Sequence, residues 1–309
     1  MKLFFVNEAL SMKKWIAAFR LRTLPLAIAN TILGSSLAYY YGGFRWSVFV
    51  LAAITTILLQ IISNMANDYG DFVNGKDTAE RIGPKRMVQS GEISPGAMLK
   101  AIIFAGILAA ISGLWLIIIG TRGIEISYLV VFVVLGLAAI VAAIKYTIGK
   151  NPYGYRGLGD IFVFLFFGLV GVCGTFFLHT QQFNPALLLP ASALGFLSAG
   201  VLNVNNLRDY HADKNAGKRT LVVAIGIKKA RVYHVALILA AFVFLAIYIL
   251  ITAPQSWLWL CMLTFALFIR HLKKTSSFTD AKELFPELGK LAIATFLFAL
   301  TFSIGLILS

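Results

Sequence analysis

Residues 101–120 read AIIFAGILAAISGLWLIIIG, a run of twenty positions without a charge. A charge-free stretch of this length is what an α-helix needs to cross roughly 30 Å of hydrocarbon. Tyr128–Ile144 is a second such stretch. Working outward from these two, apolar runs and short polar breaks predict nine helices, at roughly 24–43, 46–66, 97–120, 125–148, 158–180, 186–207, 230–253, 255–272 and 288–308. Composition agrees: of 309 residues, 59% are hydrophobic and 13% charged, and mean hydropathy is +0.84. A soluble domain runs near 45–50% apolar and about 25% charged, so a single water-soluble core is excluded. The chain reads as an all-α polytopic membrane protein, one domain over 1–309, with 1–20 as an N-terminal cytoplasmic segment. Lys13, Lys14, Arg20 and Arg22 precede an apolar run too long for a cleaved signal, and no small-residue cleavage site follows. Cys173 and Cys261 sit inside apolar runs and read as small buried hydrophobes, without a zinc or disulfide spacing.

Charge sets the orientation. Of 27 Lys and Arg, only Arg45 and Arg122 fall outside the N-terminal segment and the even-numbered loops. Basic residues gather on the cytoplasmic side of membrane proteins. The N-terminus and even loops are therefore expected in the cytoplasm and the C-terminus outside, in a cell (inner) membrane. The formal net charge of +14 follows from the same rule. It does not mark a nucleic-acid binder, because the basic residues are spread over loops with no nucleic-acid module.

Acidic residues share that face: of 13 Asp and Glu, only Glu125 lies opposite. Two clusters close long apolar helices, NMANDYGD at 64–71, followed by Asp77, and NNLRDYHAD at 205–213. Asn64, Asp68 and Asp71 are spaced by four and three; Asn205, Asp209 and Asp213 by four. Such spacing puts side chains on one helix face. Carboxylates crowded there repel and raise one another's pKa, and at a membrane interface they are costly unless paired or metal-bound. A hard divalent cation shared between the clusters removes the penalty, and Mg²⁺ characteristically bridges carboxylates to phosphates. Both clusters read Asn-x-x-x-Asp-Tyr with a Lys-Arg pair downstream, Lys85-Arg86 and Lys218-Arg219, which suggests an old duplication with the two helices facing across one cavity.

A prenyl diphosphate fits such a cavity, its charged head on the Asp clusters and its hydrocarbon tail toward lipid. Lys and Arg contacts would steady the phosphate oxygens. An ion-coupled transporter uses similar interfacial Asn and Asp and stays open as an alternative. The loop KYTIGKNPYGYRGLGD at 145–160 is either a simple turn or a third wall of the site, with Lys150 and Asp160 as its candidates. Arg22 either pairs with an acceptor carboxylate or snorkels. His211 reads as a solvated loop residue, and His179 as unconnected to the chemistry.

The motifs NDYGD (67–71), DYHAD (209–213) and YTIGK (146–150) resemble those of the UbiA superfamily of intramembrane aromatic prenyltransferases. The longer loops 67–84, 146–160 and 205–221 resemble the branch that prenylates 1,4-dihydroxy-2-naphthoate on the menaquinone route. The resemblance implies nine helices around a central cavity, Mg²⁺ as cofactor, and a polyprenyl diphosphate donor. It implies decarboxylating transfer that yields demethylmenaquinone, with 4-hydroxybenzoate or homogentisate as alternative acceptors. It assigns metal and diphosphate to Asn64, Asp68, Asp71, Asp209 and Asp213. Lys150 becomes a diphosphate contact and Tyr146 a guard of the reacting carbon. Arg22, Asn67, Lys85, Arg86, Asn205 and Lys218 are expected as further substrate-binding residues. No obligate protein partner is implied. The wider family often has an Asp where this chain has Gly75, so Asp77 is either a ligand or part of a loop that Gly70, Gly75 and Gly83 let close.

Overall fold

The computed structural model describes residues 12–77, 82–253 and 257–309. Lys2, Arg81, the turn expected at Pro254 and the first two residues of the eighth predicted helix lie outside the described residues. Among those described, eight helices are long and apolar enough to cross a membrane. They are α1 (Met12–Tyr40), α2 (Trp46–Val73), α3 (Pro95–Gly120), α4 (Ile126–Lys145), α5 (Gly159–Thr180), α6 (Pro185–Arg208), α7 (Leu221–Thr252) and, last in the chain, α9 (Ala281–Leu308). The segment expected at 255–272 is a 3₁₀ stretch, Trp257–Thr264, leading into α8 (Phe265–Ser277). Arg270, Lys273 and Lys274 make it the least apolar of the set, yet 3₁₀ rise and α rise together carry it about 35 Å. The chain is a multi-pass membrane protein.

Helix starts are written locally. Ser94 Oγ accepts from the Ala97 amide with Pro95 at the first position of α3. Asn184 accepts from Ala186 ahead of α6, and Asp280 with Glu283 forms a capping box before α9. These side chains satisfy amides that the first turn leaves unpaired. Four helices exceed their predicted limits, among them α9, which begins at Ala281 rather than 288. α1 begins by Met12 and is broken at Arg20, a non-glycine in the left-handed region (φ 51°). α2 runs on through the first acidic cluster to Val73. α7 starts at Leu221 and breaks at Gly226 (φ 80°).

α6 is the central helix, buried over most of its length against α5, α7 and α9. One large apolar core joins α1, α5, α6, α7, the 257–264 stretch and α9. A smaller one joins α2, α3 and the loop residues Met87, Val88 and Ile93. α4 packs on α2 and α3 and is mostly exposed, as befits a helix facing lipid. Phe164–Gly174 within α5 is π-helical, a widened geometry that recurs beside functional sites. It packs on α6 through Gly168. A Cβ there would stand 2.7 Å from the Ala191 carbonyl and 2.8 Å from Gly195 Cα.

The end away from the acidic clusters is closed by Arg45, one of two basic residues on that side. Its guanidinium donates to the carbonyls of Ile119, Gly120 and Leu178, which end α3 and α5. Its amide donates to His179 Nδ1 at 3.0 Å, and His179 Nε2 bonds Ser35. Arg45 is thus a shared C-terminal cap that places a cation at the negative ends of two helices. His179 belongs to this closure, far along the fold from the clusters.

Replacing Gly168 by Leu should force α5 off α6. Overpacking against backbone costs about 3 kcal/mol, read as a fall in the Tm of the detergent-purified protein; an unchanged Tm would show that the two helices tolerate separation.

Candidate active site

A cavity of about 380 Å³ opens between α1, α2, α3, α4, α5 and α6, with Leu288 of α9 at its rim. Its polar end is built by α2, α6 and the loops that follow them. Along α2 the lining residues are Gln60, Ser63, Asn64, Asn67 and Asp71, a stripe stepping by three and four on one helix face. From α6 come Asn205 and Asn206, followed by Asp209 just past its end and Asp213 in a short helix, Tyr210–Asn215. Arg86, Tyr146, Tyr155 and Lys218 come in from the loops.

Asp71 is the meeting point. It pairs with Arg86 Nη2, lies 3.0 Å from Lys218 Nζ, and accepts from the Tyr155 hydroxyl at 2.5 Å. Three loops therefore converge on one carboxylate. Further bonds tie them together: Asn74 Nδ2 to the Thr147 carbonyl at 2.8 Å, Lys76 Nζ to the Ala216 carbonyl at 2.6 Å, and the Arg219 amide to the Tyr155 carbonyl at 3.0 Å. Gly70 permits the first contact, since a Cβ there would sit 2.7 Å from Thr147 backbone atoms.

Arg86 is 3% exposed and holds three groups at once. Besides Asp71, it donates to the Asn67 carbonyl, and its Nε lies 3.4 Å from Asp77. Burial pulls its pKa down, but Asp71, Asp77, Asp68 and Asp209 outweigh burial and hold it above its ordinary value. Burial, then Asp71, push the Tyr155 hydroxyl well up, so it remains a proton donor to that carboxylate. Across the cavity, Arg208 grips Asp209 with Nε at 2.8 Å and Nη2 at 2.6 Å, and Nη2 also reaches Asn205 Oδ1 at 2.9 Å. Asp213 is less compensated: Lys218 Nζ is 3.5 Å away. Burial, with Asp209 and Asp71 adding to it against Lys218, raises Asp213 to about 6.

The carboxylate and amide oxygens gathered at this end suit a hard divalent cation. Among the described residues no three acidic, His or Cys side chains close an all-protein cage. The carboxylates sit on opposite walls, which suits an ion completed by substrate phosphate. Below them the wall turns aromatic. Tyr146 meets Tyr153 edge-on at 5.4 Å, Tyr153 stacks on Phe162 at 4.0 Å, and Phe162 on Phe166 at 6.2 Å. Beyond lie Leu116, Ile117, Phe132, Gly136 and Leu178, an apolar far end.

Of the residues expected from sequence, Asn64, Asn67, Asp71, Arg86, Tyr146, Asn205, Asp209, Asp213 and Lys218 line this cavity. Four do not. Asp68, 2% exposed, turns away and accepts from the amides of Met87 at 2.9 Å and Val88 at 3.3 Å. It anchors the loop that delivers Arg86. The same helix face cannot serve both Asp68 and Asp71; packing of the 87–93 loop on α2 and α3 takes the former. Lys85 is exposed and pairs with Glu92. Lys150 is exposed. Arg22 is exposed, with its guanidinium 5.5 Å from the Phe285 ring centroid, while Arg20 lines the cavity with Nη2 3.4 Å from Asn67 Oδ1. The matched Lys-Arg pairs are also out of register: the Arg of the first and the Lys of the second reach Asp71. Asn64 lines the cavity, but its amide nitrogen is spent on the Phe19 carbonyl and Thr23 Oγ1. Asp160 is buried and bonded to Tyr233 rather than lining the cavity, and His211 is exposed. Arg20, Gln60, Tyr155, Phe162 and Arg208 were not singled out from sequence. A lone Gln two turns before Asn67 in an apolar helix was the available signal for one of them.

The UbiA prenyltransferase family matches residues 27–293. The chain is 42% identical to 1,4-dihydroxy-2-naphthoate octaprenyltransferase of Escherichia coli K12, over 96% of this chain and 95% of that one. It is 44% identical to the protein of the same name from Haemophilus influenzae, over 98% of each. Among solved structures, an apo UbiA homolog from Aeropyrum pernix superposes with TM-score 0.67 at 15% identity, covering 94% of this chain and 98% of that one. A UbiA homolog from Archaeoglobus fulgidus, bound to DMAPP and Mg²⁺, superposes with TM-score 0.60 at 15% identity, covering 94% and 99%.

An Asp68→Ala variant should lose loop anchoring before it loses helix α2. The amides of Met87 and Val88 are then expected to exchange hydrogen at least about tenfold faster, equivalent to one charge-assisted bond. Unchanged protection there would show that the carboxylate does not hold the loop.

Proposed function

This chain belongs to the UbiA prenyltransferase family, and on that premise we propose that it transfers a polyprenyl group from its diphosphate to 1,4-dihydroxy-2-naphthoate. The names of relatives 42% and 44% identical over nearly the whole chain support this acceptor. The observation that carries the chemistry is the placement of Asp71, Asp209, Asp213 and Lys218 at one end of a cavity whose other end is aromatic and apolar.

The donor's C–O bond breaks and its electron pair leaves with diphosphate. The ring carbon that bears the acceptor carboxylate forms the new C–C bond. The C–CO₂ bond then breaks, its pair restores aromaticity, and carbon dioxide departs; the ring needs no added proton. Magnesium, held by Asp71, Asp209 and Asp213 with the amide oxygens of Asn67 and Asn205, would neutralise the diphosphate and the charge that grows on it. Lys218 stands between Asp71 and Asp213 and supplies a cation to the phosphate oxygens. Arg86 and Arg208 act one step back, holding Asp71 and Asp209 in place. Tyr146, Tyr153 and Phe162 face the carbon left positive when diphosphate departs and shield it from water. Burial, then Asp160, hold the Tyr146 hydroxyl well above its usual range, so it stays neutral there. Arg20, on the wall beside Asn67, pairs with the acceptor carboxylate. Asp68 is a positioning residue for the Arg86 loop.

The motif-bearing end is proposed to face the cytoplasm of an inner membrane, where magnesium and a soluble aromatic acid are at hand. That places the C-terminus outside.

Purified protein in detergent, given Mg²⁺, a polyprenyl diphosphate and either dihydroxynaphthoate or 4-hydroxybenzoate, should yield only the decarboxylated prenylnaphthoquinone by mass after air oxidation. Product from hydroxybenzoate alone would reject this acceptor. Solute uptake into vesicles without diphosphate release would instead favour transport. Asp71→Ala and Asp209→Ala should each lower kcat by about 10³ or more with membrane insertion retained, the scale of lost electrostatic stabilisation; activity within tenfold of the wild type would reject the two-wall metal site.

Proton and metal compete for Asp213. It carries its charge above pH 6 and loses it below, because its pKa is raised to about 6. Half-saturating Mg²⁺ should therefore climb as pH falls from 7 to 5, by up to about tenfold per unit below 6. A flat Mg²⁺ requirement across that range would argue against Asp213 as a ligand.

A further inference from the structure

Along the polar stripe of α2, Asn64 Nδ2 donates to the Phe19 carbonyl at 2.8 Å and to Thr23 Oγ1 at 2.9 Å. Gln60 Nε2 donates to Thr23 Oγ1 and to Asn64 Oδ1, both at 3.3 Å. The Thr23 hydroxyl in turn donates to the Arg20 carbonyl at 2.9 Å. These bonds take the carbonyls of Phe19 and Arg20 as acceptors and so hold the left-handed turn at Arg20. The guanidinium that reaches within 3.4 Å of Asn67 Oδ1 is thus carried on a fixed turn.

Ser63 stands in the middle of this stripe. Leu59, Gln60, Asn64 and Asn67, adjacent to it or one turn away, line the cavity with it, so the face of α2 that bears Ser63 is the cavity face. It is the one serine or threonine of the cavity wall whose hydroxyl has no hydrogen-bond partner among the described residues. Thr55, Thr175 and Ser198 each return theirs to a carbonyl of their own helix. Thr23 and Thr147 bond the carbonyls of Arg20 and Ala66, Thr56 bonds Thr31, and Thr220 caps α7. Ser63 is only half-buried, and its hydroxyl is not sealed within the protein as the Gln60 side-chain oxygen is. A hydroxyl on such a wall is hydrated until substrate displaces the water, and then needs a polar partner.

We propose that Ser63 Oγ hydrogen-bonds the 4-hydroxyl of the aromatic acceptor, making Ser63 a specificity-determining residue for that hydroxyl. This rests on the dihydroxynaphthoate reading above and extends it to a named atom. Ser63 lies one helical turn, about 6 Å, along α2 from Asn67, beside which Arg20 is set to pair with the acceptor carboxylate. That carboxylate is on C2. The 1-hydroxyl is its immediate neighbour, and only the 4-hydroxyl stands far enough off to meet a group one turn away. The same pose turns C2, the carbon that is prenylated, toward the diphosphate end of the cavity. A site built to bond a hydroxyl discriminates against the analogue that lacks it.

The test is a cycle of affinities, so that ring reactivity drops out. Dissociation constants for 1,4-dihydroxy-2-naphthoate, 1-hydroxy-2-naphthoate and 4-hydroxy-2-naphthoate are measured by competition, in the wild type and in Ser63→Ala. In the wild type, loss of the 4-hydroxyl should weaken binding about tenfold, the scale of one hydrogen bond whose partner is left unpaired. In Ser63→Ala that penalty should vanish, while loss of the 1-hydroxyl should weaken binding equally in both proteins. The Tm of Ser63→Ala should match the wild type, since the hydroxyl bonds nothing among the described residues, and the KM for prenyl diphosphate should not change. Equal 4-hydroxyl penalties in the two proteins would overturn the assignment, as would an effect confined to the 1-hydroxyl or to prenyl diphosphate. A fall in Tm would also overturn it, by showing that the hydroxyl serves the fold. A wild type that transfers prenyl to another aromatic acid but to no naphthoate would defeat the acceptor reading instead, a result visible before any variant is made.

Discussion

Asp71 is a carboxylate at the end of a membrane helix, held by Arg86, Lys218 and Tyr155 from three separate loops. Left alone, such a charge near hydrocarbon is strongly unfavourable. Each partner is itself buried or half-buried and loses hydration in reaching it, so the cluster is stable only when complete. Completion requires the loops after α2, α4 and α6 to lie against one another. The Lys76–Ala216 and Arg219–Tyr155 bonds show them doing so. The polar roof of the cavity exists because one carboxylate needs all of them.

That requirement also explains how residues divide labour. Arg86 and Arg208 hold their aspartates through close, buried contacts, which keeps two carboxylates fixed beside the cavity. Asp213 is left with a longer contact to Lys218 and a raised pKa. The polar end is therefore poised rather than saturated, with one carboxylate short of positive charge on the wall opposite Asp71. The apolar end imposes nothing of the kind. Its aromatic rings stack into a continuous side of the cavity, contributed by the loop before α5, its first turn and, for Phe166, its π-helical stretch.

The two acidic motifs look alike in sequence and behave differently in space. Asp68 and Asp71 each follow a motif Asn by four residues, yet Asp71 faces the cavity and Asp68 an amide pair in the loop. In the second motif, Asp209 and Asp213 both face inward, since the helix breaks at Asp209 and restarts at Tyr210. The downstream basic pairs follow suit: Arg86 and Lys218 meet at Asp71, whereas Lys85 and Arg219 are exposed.

The amino-acid order by itself determined the membrane class, most helix positions, the sharing of one face by nearly all charges, and the two acidic motifs with their family likeness. Those features are local: hydrocarbon thickness sets run length, and caps such as Ser94 and Asp280 act within four residues. Only the tertiary structure decided which stripe of α2 faces inward, because a helix offers several polar stripes and packing against the 87–93 loop selects among them. It likewise placed Arg20 rather than Arg22 on the cavity, through a left-handed turn that no spacing rule announces. It put Lys150 in solvent and brought Arg208 and Tyr155 in, contacts set by loops distant in sequence. And it left the buried Gln60 Oε1 without a hydrogen-bond partner among the described residues, a property of three side chains and two carbonyls taken together.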